Sequence, residues 1–365
     1  MLVFNTEKTS EQYTENNQPL FFGKKQGLFN TVYKPYPKIW DIYKEMKSLD
    51  WSEDEFDYSQ CLSDFKECPK SVSEMMIKTL AWQWEADSVA SRAIAPVFAP
   101  FITDSSLWAA WQRISDNEVV HAATYSEIVR MSFDNPEGVI ESVLSEQEAL
   151  KRLGMVGKVL DDLYTTSHLY AVGLVSEDEA YEKLFLGIVA LLILERIQFM
   201  ASFAITFTIC SSNWFQAIGK AVQKIAQDEL EVHVKLDKIV LGIELGTERG
   251  KRIFNKNKQL ISEMLHEVVQ LELNWTEYLF SDGRELLGAN EQIIKQWVLF
   301  NAKDVFKFLS IDSDLQFPAK NPMPNLENWL NISAVQSAPQ EENNNQYKVN
   351  TVIRDDDHLS FDVDF

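Results

Sequence analysis

The order of apolar and polar residues predicts one helix after another over residues 71–309, with few signals for strands. Pro96 and Pro100 interrupt the first long helix, and the polar residues 103–106 cap the start of the second. The Asn-Pro-Glu-Gly sequence at residues 135–138 predicts a turn at the end of that second helix. Further predicted helices are a charged one near residues 145–172, a strongly apolar one containing Glu195, one bearing Asp228 and His233, and two that cover about residues 249–281 and 289–310.

The apolar run over residues 184–210 is long enough to span a bilayer. However, Glu195, Arg196 and Gln198 lie at its middle, and an acidic or basic residue there costs roughly 2.5–3.5 kcal/mol on insertion scales. The pattern therefore favours a buried helix whose polar groups face the protein interior, and we expect no membrane span.

The helices predict a folded domain over residues 31–332, preceded by an N-terminal tail, residues 1–30. From residue 333 onward the composition is too polar to bury a core, so residues 333–365 are predicted to be a flexible tail. The tail nevertheless ends on two aromatic residues, Phe361 and Phe365. This ending is typical either of a peptide that docks into a partner's groove or of a frayed terminus.

Composition narrows the classes of function. The chain has 365 residues, 45% of them hydrophobic and 12% aromatic, which is ample for a globular core. A formal net charge of −21 argues against nucleic-acid binding, since phosphate contacts need clustered Lys and Arg. The three cysteines form no Cys-x-x-Cys pair, and the N-terminus lacks a signal-peptide pattern, so a reducing cytoplasm is expected.

The segment with most chemical content carries Glu118, His121 and Tyr125. The carboxylate and the imidazole are three residues apart, on one face of a helix, and the tyrosine lies one turn further along that face. A helical bundle offers two ligands to a metal in this way. A tyrosine at that place would lie beside the metal.

Further candidate ligands occur on three other predicted helices. His233 follows a cluster of acidic residues, Glu195 interrupts the apolar helix, and a fourth carboxylate is available at Glu85 or Asp87. Four carboxylates and two histidines on four helices are the ligand set of a di-metal carboxylate bundle. The sequence therefore predicts an all-α helical bundle around such a site.

With these residues in this order, the chain resembles the small, radical-generating subunit of class I ribonucleotide reductase over nearly its whole length. The matching segments are Ser-Leu-Asp-Trp51, Leu80-Ala-Trp-Gln before Asp87-Ser88, Glu118-Val-Val-His121-Ala-Ala-Thr-Tyr125, Glu195-Arg-Ile-Gln-Phe199 with Phe203, and Ile225-Ala-Gln-Asp228-Glu229.

The resemblance implies a role for each of these residues. It implies a ferritin-like di-metal carboxylate helical bundle with extra helices, which forms a homodimer. This bundle would hold two Fe ions (a di-iron-oxo centre), with Mn possible, on the ligands Asp87, Glu118, His121, Glu195, Glu229 and His233. Tyr125 would carry a radical in a pocket walled by Phe199, Phe203 and Ile225. Trp51, Asp228 and Tyr347 would pass it to a large subunit that binds the tail ending at Phe365. Together the subunits would act as a ribonucleoside-diphosphate reductase, and this chain alone would be inactive.

The chain departs from the family pattern on the fourth ligand helix. The residue three before His233 is Leu230, which cannot bind a metal. Glu229 is four before it and only about 40° away around the helix, so it can serve, with or without a π-bulge. Glu231 is the alternative. On the first ligand helix, the Ala-Asp-Ser context favours Asp87 over Glu85.

Two other functions share this ligand set. A di-iron oxygenase or oxidase would use the same bundle, and so would a ferritin-like metal-storage protein. Tyr125, Trp51 and the aromatic tail count against both. The residues do not distinguish iron from manganese, and they leave open whether a flavoprotein activator is needed.

Overall fold

A computed structural model describes residues 18–24 and 28–330 of the chain. The predicted N-terminal tail falls only partly within this range. Tyr347, Phe365 and the rest of the predicted C-terminal tail lie outside the described residues.

The described residues form a succession of helices and no strand, with only two isolated antiparallel bridges. This confirms the prediction of an all-α helical bundle. In chain order the helices are α1 (Pro37–Ser48), α2 (Ser59–Glu67), α3 (Lys70–Phe98), α4 (Ser105–Ser132), α5 (Pro136–Leu144), α6 (Gln147–Lys151), α7 (Gly154–Ala171), α8 (Glu177–Ile193), α9 (Met200–Cys210), α10 (Gln216–Gln227), α11 (Val234–Gly246), α12 (Glu248–Leu279), α13 (Glu291–Leu309) and α14 (Glu327–Leu330).

Polar side chains fix where several helices begin. Asp104 accepts a hydrogen bond from the Leu107 backbone N–H at 2.9 Å, so α4 starts within the predicted capping segment. The Ser176 hydroxyl accepts from the Glu179 N–H at 3.3 Å and starts α8. These caps satisfy N–H groups that have no partner inside the helix.

Three local predictions need correction. Pro96 does not interrupt α3, which runs on to Phe98. The turn predicted at residues 135–138 is the start of α5 instead, because Asn135 caps the helix and Pro136 fits its first position. The charged helix predicted near residues 145–172 is divided into α6 and α7.

The continuous helical stretch Glu177–Cys210 contacts six other helices, α3, α7, α10, α11, α12 and α13. It is the one described stretch long and apolar enough to cross a membrane, yet 89% of its most apolar window is buried inside the protein. It is therefore a core helix, as the buried Glu195 predicted. α3 and α4 pack along each other and α3 contacts α9, which brings the predicted ligand helices together.

Two short π-helical segments interrupt the helices of this core. One, Leu194–Gln198, joins α8 to α9 and contains Glu195. The other, Asp228–His233, joins α10 to α11 and contains Glu229 and His233. A π-turn inserts one extra residue per turn and redirects the side chains within it, and such bulges are frequent at functional sites.

Candidate metal centre and tyrosine pocket

Buried acids and histidines from four helical segments meet in the middle of the bundle. They form two groups: Asp87, Glu118 and His121 in one, and Glu118, Glu195, Glu229 and His233 in the other. Within each group the potential ligand atoms lie within 4.8 Å of one another. Because Glu118 belongs to both groups, the two candidate metal positions are adjacent.

Two carboxylates lie between the two histidines. Glu118 Oε2 is 3.6 Å from His121 Nδ1, and Glu118 Oε1 is 3.6 Å from His233 Nδ1. Glu229 has the same arrangement: its Oε1 is 3.2 Å from His121 Nδ1, and its Oε2 is 3.3 Å from His233 Nδ1. Each carboxylate therefore directs one oxygen toward each position, as a ligand that bridges two ions does.

Burial shapes the protonation of these groups. It raises the pKa of Asp87, and the neighbouring charge of Glu118 raises it further. Burial likewise raises the pKa of Glu118 and Glu195. For Glu229 burial acts in the same direction, but the two histidines outweigh it and lower its pKa to about 2. Without positive charge in the site, several of these carboxyls hold their protons.

The donor set fits divalent metal ions. Polar atoms of all six candidate ligands have no hydrogen-bond partner among the described residues although they are buried: Asp87 Oδ1 and Oδ2, Glu118 Oε2, His121 Nδ1, Glu195 Oε2, Glu229 Oε1 and His233 Nε2. Such atoms are costly unless something binds them. Four carboxylates carry four negative charges, which two divalent cations neutralise. Oxygen and imidazole donors in this proportion suit Fe or Mn.

A hydrogen-bonded chain links this cluster to Trp51. The indole Nε1 of Trp51 donates to Asp228 Oδ2 at 2.8 Å, and the same oxygen lies 3.1 Å from His121 Nε2. The indole and imidazole rings are also stacked, with centroids 6.0 Å apart. A carboxylate in this position orients the imidazole of a metal ligand and fixes its tautomer. Burial alone would lower the pKa of His121, but the bond to Asp228 and the nearby glutamates raise it.

Tyr125 lies on the same helix, fully buried, one turn beyond His121. Its hydroxyl donates to Gln83 Oε1 at 3.0 Å. Burial, with the added charge of Asp87, raises the pKa of the phenol well above its ordinary value, so the tyrosine is neutral. The three predicted pocket residues, Phe199, Phe203 and Ile225, are buried as well, and the two phenylalanine rings stack 5.5 Å apart.

The structure separates the ligand alternatives left open by the sequence. Glu229 is fully buried in the cluster, whereas Glu231 is partly exposed and pairs with Lys235 at 2.8 Å. On α3, Asp87 belongs to the cluster and Glu85 belongs to neither group of candidate ligands in the described part of the chain. The π-turn at Asp228–His233 accommodates the extra residue between Glu229 and His233.

The sequence analysis assigned no role to two residues of the site, Gln83 and Asp237. Gln83, the partner of Tyr125, stands one turn before Asp87 on α3, a spacing that could have indicated it. Asp237 is one turn beyond His233, where its side chain pairs with Glu195. Burial raises the pKa of Asp237 to about 7. Burial thus favours the protonated form of the Asp237 carboxyl.

Comparison with known proteins identifies the family. The family model described as "Ribonucleotide reductase, small chain" matches residues 28–322, most of the chain. The chain belongs to the ribonucleotide reductase small-chain family. It is thus a component of an oxidoreductase, and an independent oxygenase or a metal-storage protein is not favoured.

Individual relatives agree with this assignment. The chain is 26% identical to "Ribonucleoside-diphosphate reductase 1 subunit beta" of Escherichia coli O157:H7, over 94% of this chain and 96% of the relative. Its fold is similar to that of the ribonucleotide reductase R2 subunit from Clostridium botulinum, with a TM-score of 0.73 at 17% identity, covering 90% of this chain and 98% of the other. The fold is also similar to dimanganese(II)-NrdF of Streptococcus sanguinis, with a TM-score of 0.66 at 16% identity, covering 82% and 98%.

Proposed function

We propose that this chain binds two metal ions and uses them to generate and store a radical on Tyr125. The observation that carries the proposal is the pair of adjacent ligand groups sharing Glu118, with Tyr125 one turn away on the same helix. The proposed metal ligands are Asp87, Glu118, His121, Glu195, Glu229 and His233. Two Fe ions are the proposed cofactor, with Mn as the alternative, because hard carboxylates and imidazoles suit both metals.

The metal pair, when bound, supplies the reduction of O₂ that oxidises the tyrosine by one electron. The protein's part is to place the phenol and exclude water. The Tyr125 hydroxyl donates its proton to Gln83. The buried, stacked rings of Phe199 and Phe203 are proposed to keep solvent from the phenol. Because its raised pKa keeps the phenol neutral, oxidation removes both an electron and a proton from Tyr125.

The hydrogen-bonded chain from Trp51 through Asp228 to His121 is the proposed route by which the oxidising equivalent leaves the site. Asp228 can take the indole proton while Trp51 is oxidised, because its carboxylate accepts the hydrogen bond from the indole N–H. Tyr347 and the tail that ends at Phe365 are proposed to continue the route and to dock on the large subunit. The relatives' names favour ribonucleoside diphosphates as substrates of the complex, which we propose acts in the cytoplasm with this chain as a homodimer.

The test measures deoxyribonucleotide formation from a ribonucleoside diphosphate by the iron-loaded chain together with the large subunit of the same organism. We expect turnover only when both proteins are present. Trp51→Phe should abolish turnover while leaving the Tyr125 radical in place, because only the exit route is cut. Trp108→Phe is the matched control, a partly exposed tryptophan at the start of the same helix as Tyr125. Equal turnover of the two variants would contradict the proposed route.

A further inference from the structure

A buried guanidinium, that of Arg152, contacts the rings of two tryptophans. Arg152 is only 1% exposed, and its guanidinium carbon lies 4.1 Å from the ring centroid of Trp82 and 4.7 Å from that of Trp275. Glu272 is its counter-ion, accepting from Nε and Nη2 at 2.7 Å each. Both contacts to the indole rings are desolvated, the setting in which a cation interacts most strongly with an aromatic face.

This group adjoins both parts of the proposed site. Trp82 immediately precedes Gln83, the hydrogen-bond partner of Tyr125, and its ring centroid is 6.5 Å from that of Phe199. Arg152 Nη2 donates to the backbone carbonyl of Gln198, and the Gln198 amide donates to the carbonyl of Arg152. Gln198 ends the π-turn that contains Glu195. Trp82 is therefore an oxidisable side chain next in sequence to the residue that holds the Tyr125 hydroxyl, and it lies against one of the predicted pocket residues, Phe199.

The tryptophans around the site differ in what their indole N–H groups meet. Trp51 Nε1 donates to a carboxylate at 2.8 Å. Over the described residues, the Nε1 atoms of Trp82 and Trp275 are buried and have no acceptor. Loss of an electron makes an indole N–H strongly acidic, so a tryptophan is oxidised more readily when a base can take its proton. Trp51 has such a base, and the other two do not.

We propose that Arg152 is a positioning residue that insulates the radical, keeping the oxidising equivalent out of Trp82 and Trp275 so that it leaves only through Trp51. The inference rests on the proposed function, since it presupposes an oxidised Tyr125. A leak would transfer one electron from Trp82 to the Tyr125 phenoxyl, giving a phenolate and a Trp82 radical cation. The phenolate would then take up a proton, and the indole would lose the one on Nε1. A guanidinium over the ring opposes the new positive charge, and the missing acceptor opposes the proton loss.

The test removes the cation without leaving a buried charge unpaired. In the double variant Arg152→Met and Glu272→Met, both partners are replaced by apolar side chains, a change that buried ion pairs often tolerate. The full-length variant and the wild type are loaded with Fe(II) and exposed to O₂. The Tyr125 radical is followed by EPR, and oxygen addition at Trp82 and Trp275 is quantified by peptide mass spectrometry. We expect the radical to decay roughly thirtyfold faster in the variant, the factor for one desolvated cation–π contact, with oxidised Trp82 accumulating.

Two further variants distinguish insulation from simple packing. Arg152→Lys keeps a positive charge paired with Glu272 beside the rings, and it should show the wild-type decay and no oxidised tryptophan. Adding Trp82→Phe to the double variant removes the oxidisable ring and should restore the radical lifetime. Faster decay that Trp82→Phe does not restore, without oxidised tryptophan, would mean that the pocket has only loosened, and would overturn the inference.

The inference and the proposed function fail in different ways. A wild-type radical whose decay is unchanged in the double variant contradicts the insulating role of Arg152 alone. No radical in the wild type contradicts the proposed function, and the inference falls with it.

Discussion

Asp228 is the residue whose substitution tests the arrangement of the site most sharply. One of its carboxylate oxygens accepts from Trp51 Nε1 at 2.8 Å and lies 3.1 Å from His121 Nε2, with the imidazole fully buried. In Asp228→Asn the amide oxygen can occupy the same place, so the shape of the site is kept. What is lost is the negative charge that orients the imidazole.

The size of the effect follows from the bond to His121. A hydrogen bond to a charged group contributes about 1.5–3 kcal/mol, against about 0.5–1.5 kcal/mol for a neutral one. Losing the charge therefore costs about 1–2 kcal/mol in the orientation of His121. At about 1.4 kcal/mol per factor of ten, metal affinity should fall roughly 5- to 30-fold. This agrees with the about 10- to 100-fold effect usual for removing the partner of a metal-bound histidine.

The assay is calorimetric titration of the metal-free protein with Mn(II), which avoids the reaction of iron with O₂. Glu231→Gln is the matched control, because Glu231 lies in the same π-helical segment but is partly exposed and pairs with Lys235. We expect its affinity for Mn(II) to match that of the wild type. If Asp228→Asn bound Mn(II) as tightly as Glu231→Gln, the proposed orienting role of Asp228 would be refuted.

Three further predictions concern the metal positions, the tyrosine and pH. Glu118→Ala should abolish binding of both metal ions because Glu118 belongs to both ligand groups, whereas Asp87→Ala should retain the ion in the other group, as metal analysis after dialysis will show. Gln83→Leu removes the acceptor of the Tyr125 hydrogen bond, and EPR should show altered g-values and a shorter radical lifetime. Burial raises the pKa of Asp237 to about 7, so its contribution to stability is fully present below the unfolded pKa of about 4 and is lost as pH rises through about 7. The metal-free protein should therefore melt at a higher temperature near pH 6 than near pH 8, and Mn(II) should stabilise it more at the higher pH. A melting temperature that rises with pH over this range would contradict this reading of the buried carboxyls.

The helices and the identity of the candidate ligands could be predicted from the sequence because both depend on local spacing. The spacing of Glu118, His121 and Tyr125 places them on one face of a helix, independently of the rest of the fold. Glu195 lies in an apolar run, so it needs a polar partner inside the protein. The prediction of a turn from local sequence was wrong where the same residues cap a helix. Asn135 and Pro136 are typical turn residues, but they are equally suited to the start of a helix, and here they start α5.

Contacts between distant parts of the chain were beyond such reasoning. The pairing of Arg152 with Glu272 joins residues 120 positions apart. The contacts of its guanidinium with Trp82 and Trp275 depend on how the turn between α6 and α7 packs against α3 and α12. The same holds for Gln83 and Tyr125, 42 positions apart. The angle around the helix favoured Glu229 over Glu231, but it left open whether a π-turn is present, because such a turn has no reliable sequence signal.

The central claim, that the buried cluster oxidises Tyr125, is tested most directly by EPR. The metal-free protein is loaded with Fe(II), exposed to O₂ and compared with Tyr125→Phe prepared in the same way. We predict a tyrosyl doublet in the wild type that is absent from the variant, while both proteins bind the same amount of iron. Oxygen consumption without a radical in the wild type, also after loading with Mn(II) and an activating flavoprotein, would contradict the claim. A doublet that persists in Tyr125→Phe would place the radical on another residue.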